Sequence, residues 1–293
     1  MSDCLLLGAV AYDPKVVAIW DGFRTWFEKR GLPFDYILYT NYERQVQAQF
    51  SGHIHIAWNS PLAWLQSRYL ASSLGRRAEA ICMRDTDRDL TSVVIARENS
   101  GIRAIADLKG RRVAVGAPDS PQATLIPLNF LAQHGLERGR DIEVLEFDVA
   151  LGKHGDHIGG EREAVRALLR RECDAACLID GNLLLFAQEG TIPFGSTRLI
   201  AQTPPYDHCN FTVLDNAPAA LVSRFRELLL TMSYEDPEVR RLLDMEGLKR
   251  WLPGRTEGYA LLSDAVERFG YLNRFVELAT AGCASTCLPC GSN

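Results

Sequence analysis

Apolar residues near the start of the chain switch repeatedly between two spacings. The run Cys4–Val10, "CLLLGAV", predicts a buried strand. Val16, Trp20, Phe23 and Phe27 then recur at i, i+4, i+7 and i+11, one face of a helix that Gly31 stops. "FDYILY" reads as a second strand, "YERQVQAQF" as a short helix ending at Gly52, and "HIHIAW" as a third strand. That strand runs into the turn "NSP" and a further helix. The alternation resumes with the strands "TSVVIARE" and "RRVAVGA", a helix from Pro121 to His134, and the strand "IEVLEF". A Gly- and His-rich loop, "LGKHGDHIGG", precedes the helix "EREAVRALLRR", the strand "CDAACLID", the helix "NLLLFAQEG" and the strand "TRLIAQT". From about Ala217 the pattern turns mainly helical. The last helix carries Ala265, Phe269, Leu272, Val276 and Ala279 on one face, with Gly282 as its cap. Such βα repetition predicts an α/β fold with mainly parallel sheets and binding sites at the carboxyl ends of strands.

Length and charge narrow this picture. At 293 residues the chain exceeds a usual single core, so two lobes are expected. A net charge of −5 excludes a general nucleic-acid binder, because no basic surplus is present to neutralise phosphates. No apolar run approaches the ~20 residues that span a bilayer. "MSDCLLLGAVAYDP" lacks the basic region of a signal peptide and reads as a first strand, so with Met1 as the start a cytoplasmic location is expected. There the eight cysteines would serve as thiols, metal ligands or transient redox pairs. Cys4 and Cys82, in apolar runs, and Cys173 and Cys177, near a helix-to-strand boundary, read as packing residues, and His53 and His55 as surface groups.

Four stretches then carry a resemblance over nearly the whole chain. "NYERQVQAQFSGHIHIAWNSPLAWL", "SVVIARENSGIRAIADLKGRRVAVGAPDSPQATLIPLNFLAQHGL", "KHGDHIGGEREAVRALLRRECDAACLIDGN" and "DPEVRRLLDMEGLKRWLP" resemble the phosphate/phosphite/phosphonate-type substrate-binding proteins of ABC transporters. The second is the most specific, matching the family's crossover strand, its "DLKG" helix and its anion-meeting turn. The resemblance implies a type 2 periplasmic-binding-protein fold whose two lobes are joined by two crossover strands. Lobe one would comprise 1–93 plus 204–293, with a Cys-rich tail at 283–290, and lobe two 94–203. A small-molecule ligand is implied as partner; protein partners are left open.

The candidate cleft residues follow from those matches. Tyr12 follows the first strand, where the family places an aromatic, and Trp58, Asn59 and Ser60 follow the third. Asn59 and Ser60 offer neutral hydrogen bonds, and Trp58 an apolar or cation-binding wall. Ser120 before Pro121 fits an N-cap with a first-turn proline, and Gln122 follows. Here Asp119 adds negative charge and Pro121 removes an amide donor, so the turn fits phosphate or phosphonate less well than the family pattern does. Carboxylate, sulfur-containing and amine-bearing ligands stay open beside them. His157 matches the family's ligand histidine, with His154 nearby, and Asp180 its cleft aspartate. Tyr206, His208 and Cys209 lie on the return crossover, where adjacent His and Cys can act as a thiolate pair or as metal ligands.

Finally, Cys283, Cys287 and Cys290 are spaced C-x3-C-x2-C. Three thiolates at that spacing fit iron, zinc or an iron–sulfur cluster, or sulfur-handling chemistry. Two functions of different class result. One is a binding protein closing on a small anionic or zwitterionic ligand. The other is an enzyme on the same fold, with Cys283, Cys287, Cys290, His208 and Cys209 as catalytic candidates.

Overall fold

The computed structural model describes residues 4–272 apart from 157, together with 275. The chain first builds β1 (Leu5–Val10), α1 (Lys15–Glu28), β2 (Phe34–Tyr39), α2 (Tyr42–Phe50), β3 (Ile56–Asn59), α3 (Pro61–Ser73) and β4 (Ala78–Arg84). It crosses over to β5 (Ser92–Arg97), β6 (Arg112–Val115), α4 (Ile126–Gln133), β7 (Glu143–Glu146), α5 (Glu161–Leu169), β8 (Ala175–Ile179), α6 (Asp180–Gln188) and β9 (Thr197–Gln202). It then returns through β10 (Asn210–Leu214), α7 (Ala219–Thr231), α8 (Pro237–Glu246), β11 (Trp251–Pro253) and α9 (Ala260–Arg268).

Two sheets result, in the orders β11-β4-β10-β3-β1-β2 and β7-β6-β8-β5-β9. Parallel pairing holds where successive βα units stack: β1 with β2 and β3, and β6 with β7 and β8. The strand that follows each crossing runs the other way. β10 is antiparallel to β3 and β4, and β5 to β8 and β9, so both sheets are mixed, while β1–β4 in one and β6–β9 in the other keep a common direction. The crossing segments touch each other through reciprocal bonds of 2.8 Å between the Leu90 and Tyr206 backbones.

Local chemistry explains three departures from the sequence pattern. The helix expected from Pro121 opens with a π-helical turn, Pro121–Leu125, before α4 begins. Prolines 121 and 127 cannot donate there, and wide turns of this kind are frequent beside functional sites. "HIHIAW" pairs only from Ile56, because His55 accepts the Leu6 amide on its Nδ1 at 2.9 Å, which also makes it a structural group rather than a surface one. α9 stops at Arg268, with Gly270 at φ +62°, a left-handed conformation that glycine adopts freely, and the chain is helical again at Tyr271 and Leu272. Val276, Ala279 and Gly282 lie outside the described residues. Cys82, Cys173 and Cys177 are buried packing residues, as expected, with burial pushing their thiols up to about 12, 11 and 12.

Under the first sheet, Trp20, Phe23, Phe27, Phe34, Phe211, Phe225 and Trp251 pack into one aromatic core. Phe211 is central, its ring centroid 4.6 Å from Trp58, 5.1 Å from Phe225 and 5.2 Å from Trp251. It supports Trp58, which faces the cleft. Phe211→Ala is expected to cost about 3–5 kcal/mol, as aromatic truncations in closed cores do; urea unfolding followed by tryptophan fluorescence measures it, and a loss below 1 kcal/mol would mean that the core closes around the gap.

Candidate functional site

Where the crossovers meet the strand ends, the two lobes enclose a chamber of about 210 Å³. One lobe contributes Tyr12 after β1, Trp58 on β3 and Arg84 ending β4, and the crossings add Asp87, His208 and Cys209. The other contributes Gln122, Asp156 and the start of α6 at Gly181 and Asn182. An outer chamber of about 610 Å³ shares Tyr12, Asp156 and Asn182 with it and adds Lys15 and Arg162. A surface hollow of about 570 Å³ beside Ile54 and Leu214 is mainly apolar and lies away from this chemistry.

Arg84 organises the inner wall. Its Nε and Nη2 donate to the two oxygens of Asp87 at 2.6 and 2.8 Å, and its Nη1 donates to the Glu246 carbonyl at 2.9 Å and carboxylate at 3.3 Å. The guanidinium also lies 5.2 Å from the Trp58 ring centroid. Burial alone would raise Asp87, but the Arg84 charge outweighs it and holds the carboxyl down at about 2. Glu246 shares the same cation less closely; burial pushes it up to about 7 against Arg84's pull. Arg84 is thus already met by two carboxylates.

His208 and Cys209 sit above this pair. His208 Nδ1 lies 3.1 Å from Cys209 Sγ and 3.6 Å from Asp87 Oδ1, and its Nε2 is 3.4 Å from Gln122 Oε1. Gln122 Nε2 donates to the Gly155 carbonyl at 2.8 Å, which turns its oxygen toward the imidazole. Burial, and then the Asp87 and Asp156 carboxylates, push the Cys209 thiol well above its ordinary range, so it is a neutral thiol.

Across the chamber, Asp156 accepts from the Tyr42 hydroxyl, and burial raises its pKa despite that bond. Among the described residues it makes no ion pair with lysine or arginine. Next to it, His154 is buried and stacked on Tyr42 at 4.7 Å, between Ser60 Oγ at 2.6 Å and Glu43 Oε1 at 3.1 Å. These contacts, made by a loop of one lobe to α2 and α3 of the other, hold the cleft shut. Gly155, at φ +62°, lets the loop pass Ser120, whose Oγ a Cβ would meet at 2.5 Å.

The structure brings together Tyr12, Trp58, Gln122, His208 and Cys209 on the chamber wall. It does not place Asn59, Ser60, Ser120 or Asp180 there. Asn59 bonds Gln45 and Ser67, Ser60 caps α3 through the Ala63 amide, Ser120 caps the next turn through the Ala123 amide, and Asp180 binds Thr91. At the two helix starts that would cradle an anion, the chain's own serine therefore takes one of the amides. Tyr206 is likewise buried against Ser92. His157, Cys283, Cys287 and Cys290 lie outside the described residues. Arg84 and Asp87 escaped sequence reasoning in the charged run "RDTDRD" at the end of β4, whose alternating signs hinted at an ion-paired turn, and Asp156 was passed over between His154 and His157 in the Gly- and His-rich loop.

The family model described as "ABC transporter, phosphonate, periplasmic substrate-binding protein" matches residues 9–259. PhnD1 of Prochlorococcus marinus, solved in complex with methylphosphonate, superposes with a TM-score of 0.68 at 18% identity, over 92% of this chain and 98% of that one. A binding protein component of an ABC phosphonate transporter from Pseudomonas aeruginosa gives 0.61 at 13% identity, over 97% and 99%. The periplasmic aliphatic sulphonate binding protein SsuA of Escherichia coli gives 0.59 at 17% identity, over 94% of each. At these identities the likeness shows a shared two-lobed fold.

One buried group behind the chamber sets a pH dependence. Glu161 is fully buried, accepts from the Ile179 amide and Asn182 side chain on Oε2, and leaves Oε1 without a partner. Burial outweighs those bonds and raises it from 4.5 to about 8. The folded state therefore keeps a proton that the unfolded chain releases above its ordinary carboxylate pKa. Its contribution is complete below that value and is lost as pH rises toward 8, by up to about 4–5 kcal/mol. In urea unfolding at pH 5 and pH 8, Glu161→Gln is expected to lose clearly less stability between the two than the parent chain; an unchanged difference would show that Glu161 is ionised throughout.

Proposed function

The chain belongs to the phosphonate-type substrate-binding proteins of ABC transporters, and from that premise we propose that its cleft closes on a small zwitterion whose ammonium group sits at Asp156. The observation that carries this reading is the charge arrangement of the inner chamber. Arg84 is saturated by Asp87 and Glu246, whereas Asp156 is a buried carboxyl with a neutral Tyr42 hydroxyl as partner. An ammonium group beside it would favour the ionised carboxylate that burial disfavours.

The rest of the chamber suits such a ligand. Trp58 and Tyr12 supply aromatic walls against which an alkylammonium can lie. The anionic end then points past Asn182 toward the outer chamber, where Lys15 and Arg162 supply positive charge, because Asp180 already takes the Gly181 amide at the start of α6 at 2.7 Å. A chamber of about 210 Å³ is below the size of drug-like pockets and fits a small metabolite. Methylphosphonate bound by a structural relative carries no ammonium group; the acidic wall here is the feature that would favour one.

Calorimetry with 2-aminoethylphosphonate and ethylphosphonate isolates the amine, since the two ligands share one anion. The aminated ligand is expected to bind at least about 10-fold tighter, the worth of one charge-assisted hydrogen bond. Asp156→Asn should abolish that preference while leaving ethylphosphonate little changed. The preference should also shrink as pH falls and Asp156 takes up its proton. Equal or tighter binding of ethylphosphonate by the parent protein would overturn the reading.

A further inference from the structure

We propose that Asp87, His208 and Cys209 form a zinc site on the chamber wall, with one coordination position facing the cavity. The three side chains come from both crossing segments, are all buried, and place one ligand atom each within 4.8 Å of one another. Tetrahedral zinc with bonds of about 2.0–2.3 Å needs neighbouring donor atoms roughly 3.3–3.6 Å apart. His208 Nδ1 already lies 3.1 Å from Cys209 Sγ and 3.6 Å from Asp87 Oδ1, so small side-chain shifts complete the set. A thiolate, an imidazole and a carboxylate together are a borderline donor set that suits zinc better than magnesium or calcium.

The surrounding groups are arranged as the outer partners of metal ligands are. His208 points its second nitrogen, Nε2, at the Gln122 carbonyl oxygen, and Gly155 fixes that amide's orientation. This leaves Nδ1 as the metal-facing nitrogen. Asp87 is held by two bonds from Arg84. The Arg84 charge, which would otherwise repel a cation, is offset by Glu246 behind it. On binding, the Cys209 S–H bond breaks, its proton goes to solvent, and the sulfur lone pair takes the metal, with no change of oxidation state. The fourth position opens into the cavity, where a ligand oxygen or water completes it. Because Gln122 belongs to the opposite lobe, an occupied site would also favour the closed cleft.

The proposal stands apart from the zwitterion reading, and metal alone tests it. Full-length protein stripped with chelator would be titrated with Co²⁺ as a spectroscopic stand-in and with Zn²⁺ against a chromophoric chelator. The tail cysteines are separated by a Cys283→Ser/Cys287→Ser/Cys290→Ser variant. Thiolate-to-cobalt charge transfer and tetrahedral ligand-field bands are expected to persist in that variant and to vanish in Cys209→Ser, with Zn²⁺ affinity falling on the order of 100-fold or more. Gln122→Leu, which keeps all three ligands, should weaken Zn²⁺ by roughly 10-fold. Far-UV circular dichroism of each variant verifies folding, and His208→Gln serves as the second ligand variant if Cys209→Ser misfolds. Absence of thiolate–cobalt bands in the tail variant, or their persistence in a folded Cys209→Ser or His208→Gln protein, overturns the site.

Discussion

Everything in the cleft depends on how one partly buried guanidinium is shared. Arg84 ends β4 at the point where the chain leaves the first lobe, and its charge is divided between Asp87 on the crossing and Glu246 at the end of α8. Without it, two carboxylates would be buried beside each other, which costs several kcal/mol unless one takes up a proton. With it, Asp87 is held ionised and in place beneath His208, and the first crossing is fastened to the helical region that follows the return crossing. The same arrangement leaves no spare positive charge on that wall, and this separates the chamber from a simple anion pocket.

The neighbouring elements are consistent with that outcome. The turns that would present amides to an anion close on themselves through Ser60 and Ser120, and Asp119 accepts the Gly152 amide at 2.6 Å. The loop that carries His154 and Asp156 is tied across to α2 and α3, so the acidic wall and the closure of the cleft come from one segment. On the proposed reading, ligand preference and lobe closure are coupled through the same few residues.

Much of the architecture was legible in the chain. The spacing of Val16, Trp20, Phe23 and Phe27 marked α1, and "FDYILY" and "YERQVQAQF" coincide with β2 and α2. Periodicity could not show the direction of the crossing strands, because β5 and β10 are buried on both faces whichever way they run. The site was less visible. Tyr12, Trp58, Gln122, His208 and Cys209 stood at strand ends or on the crossing, positions that a βα pattern exposes to the cleft. Asn59 and Ser60 stood there too, yet backbone amides and neighbouring side chains claimed them, and such short-range competition leaves no periodic trace. Arg84, Asp87 and Asp156 acquire their roles only from partners distant in sequence, such as Glu246 and Tyr42.

A crystal structure of the complex with 2-aminoethylphosphonate would show whether the acidic chamber wall receives a cation. The ligand nitrogen is expected within hydrogen-bonding distance of the Asp156 carboxylate, with the phosphonate turned past Asn182 toward the outer chamber and the Arg84–Asp87 pair intact. A phosphonate group seated on Arg84 with Asp87 displaced, or lodged at the Ser120 turn, would contradict that expectation.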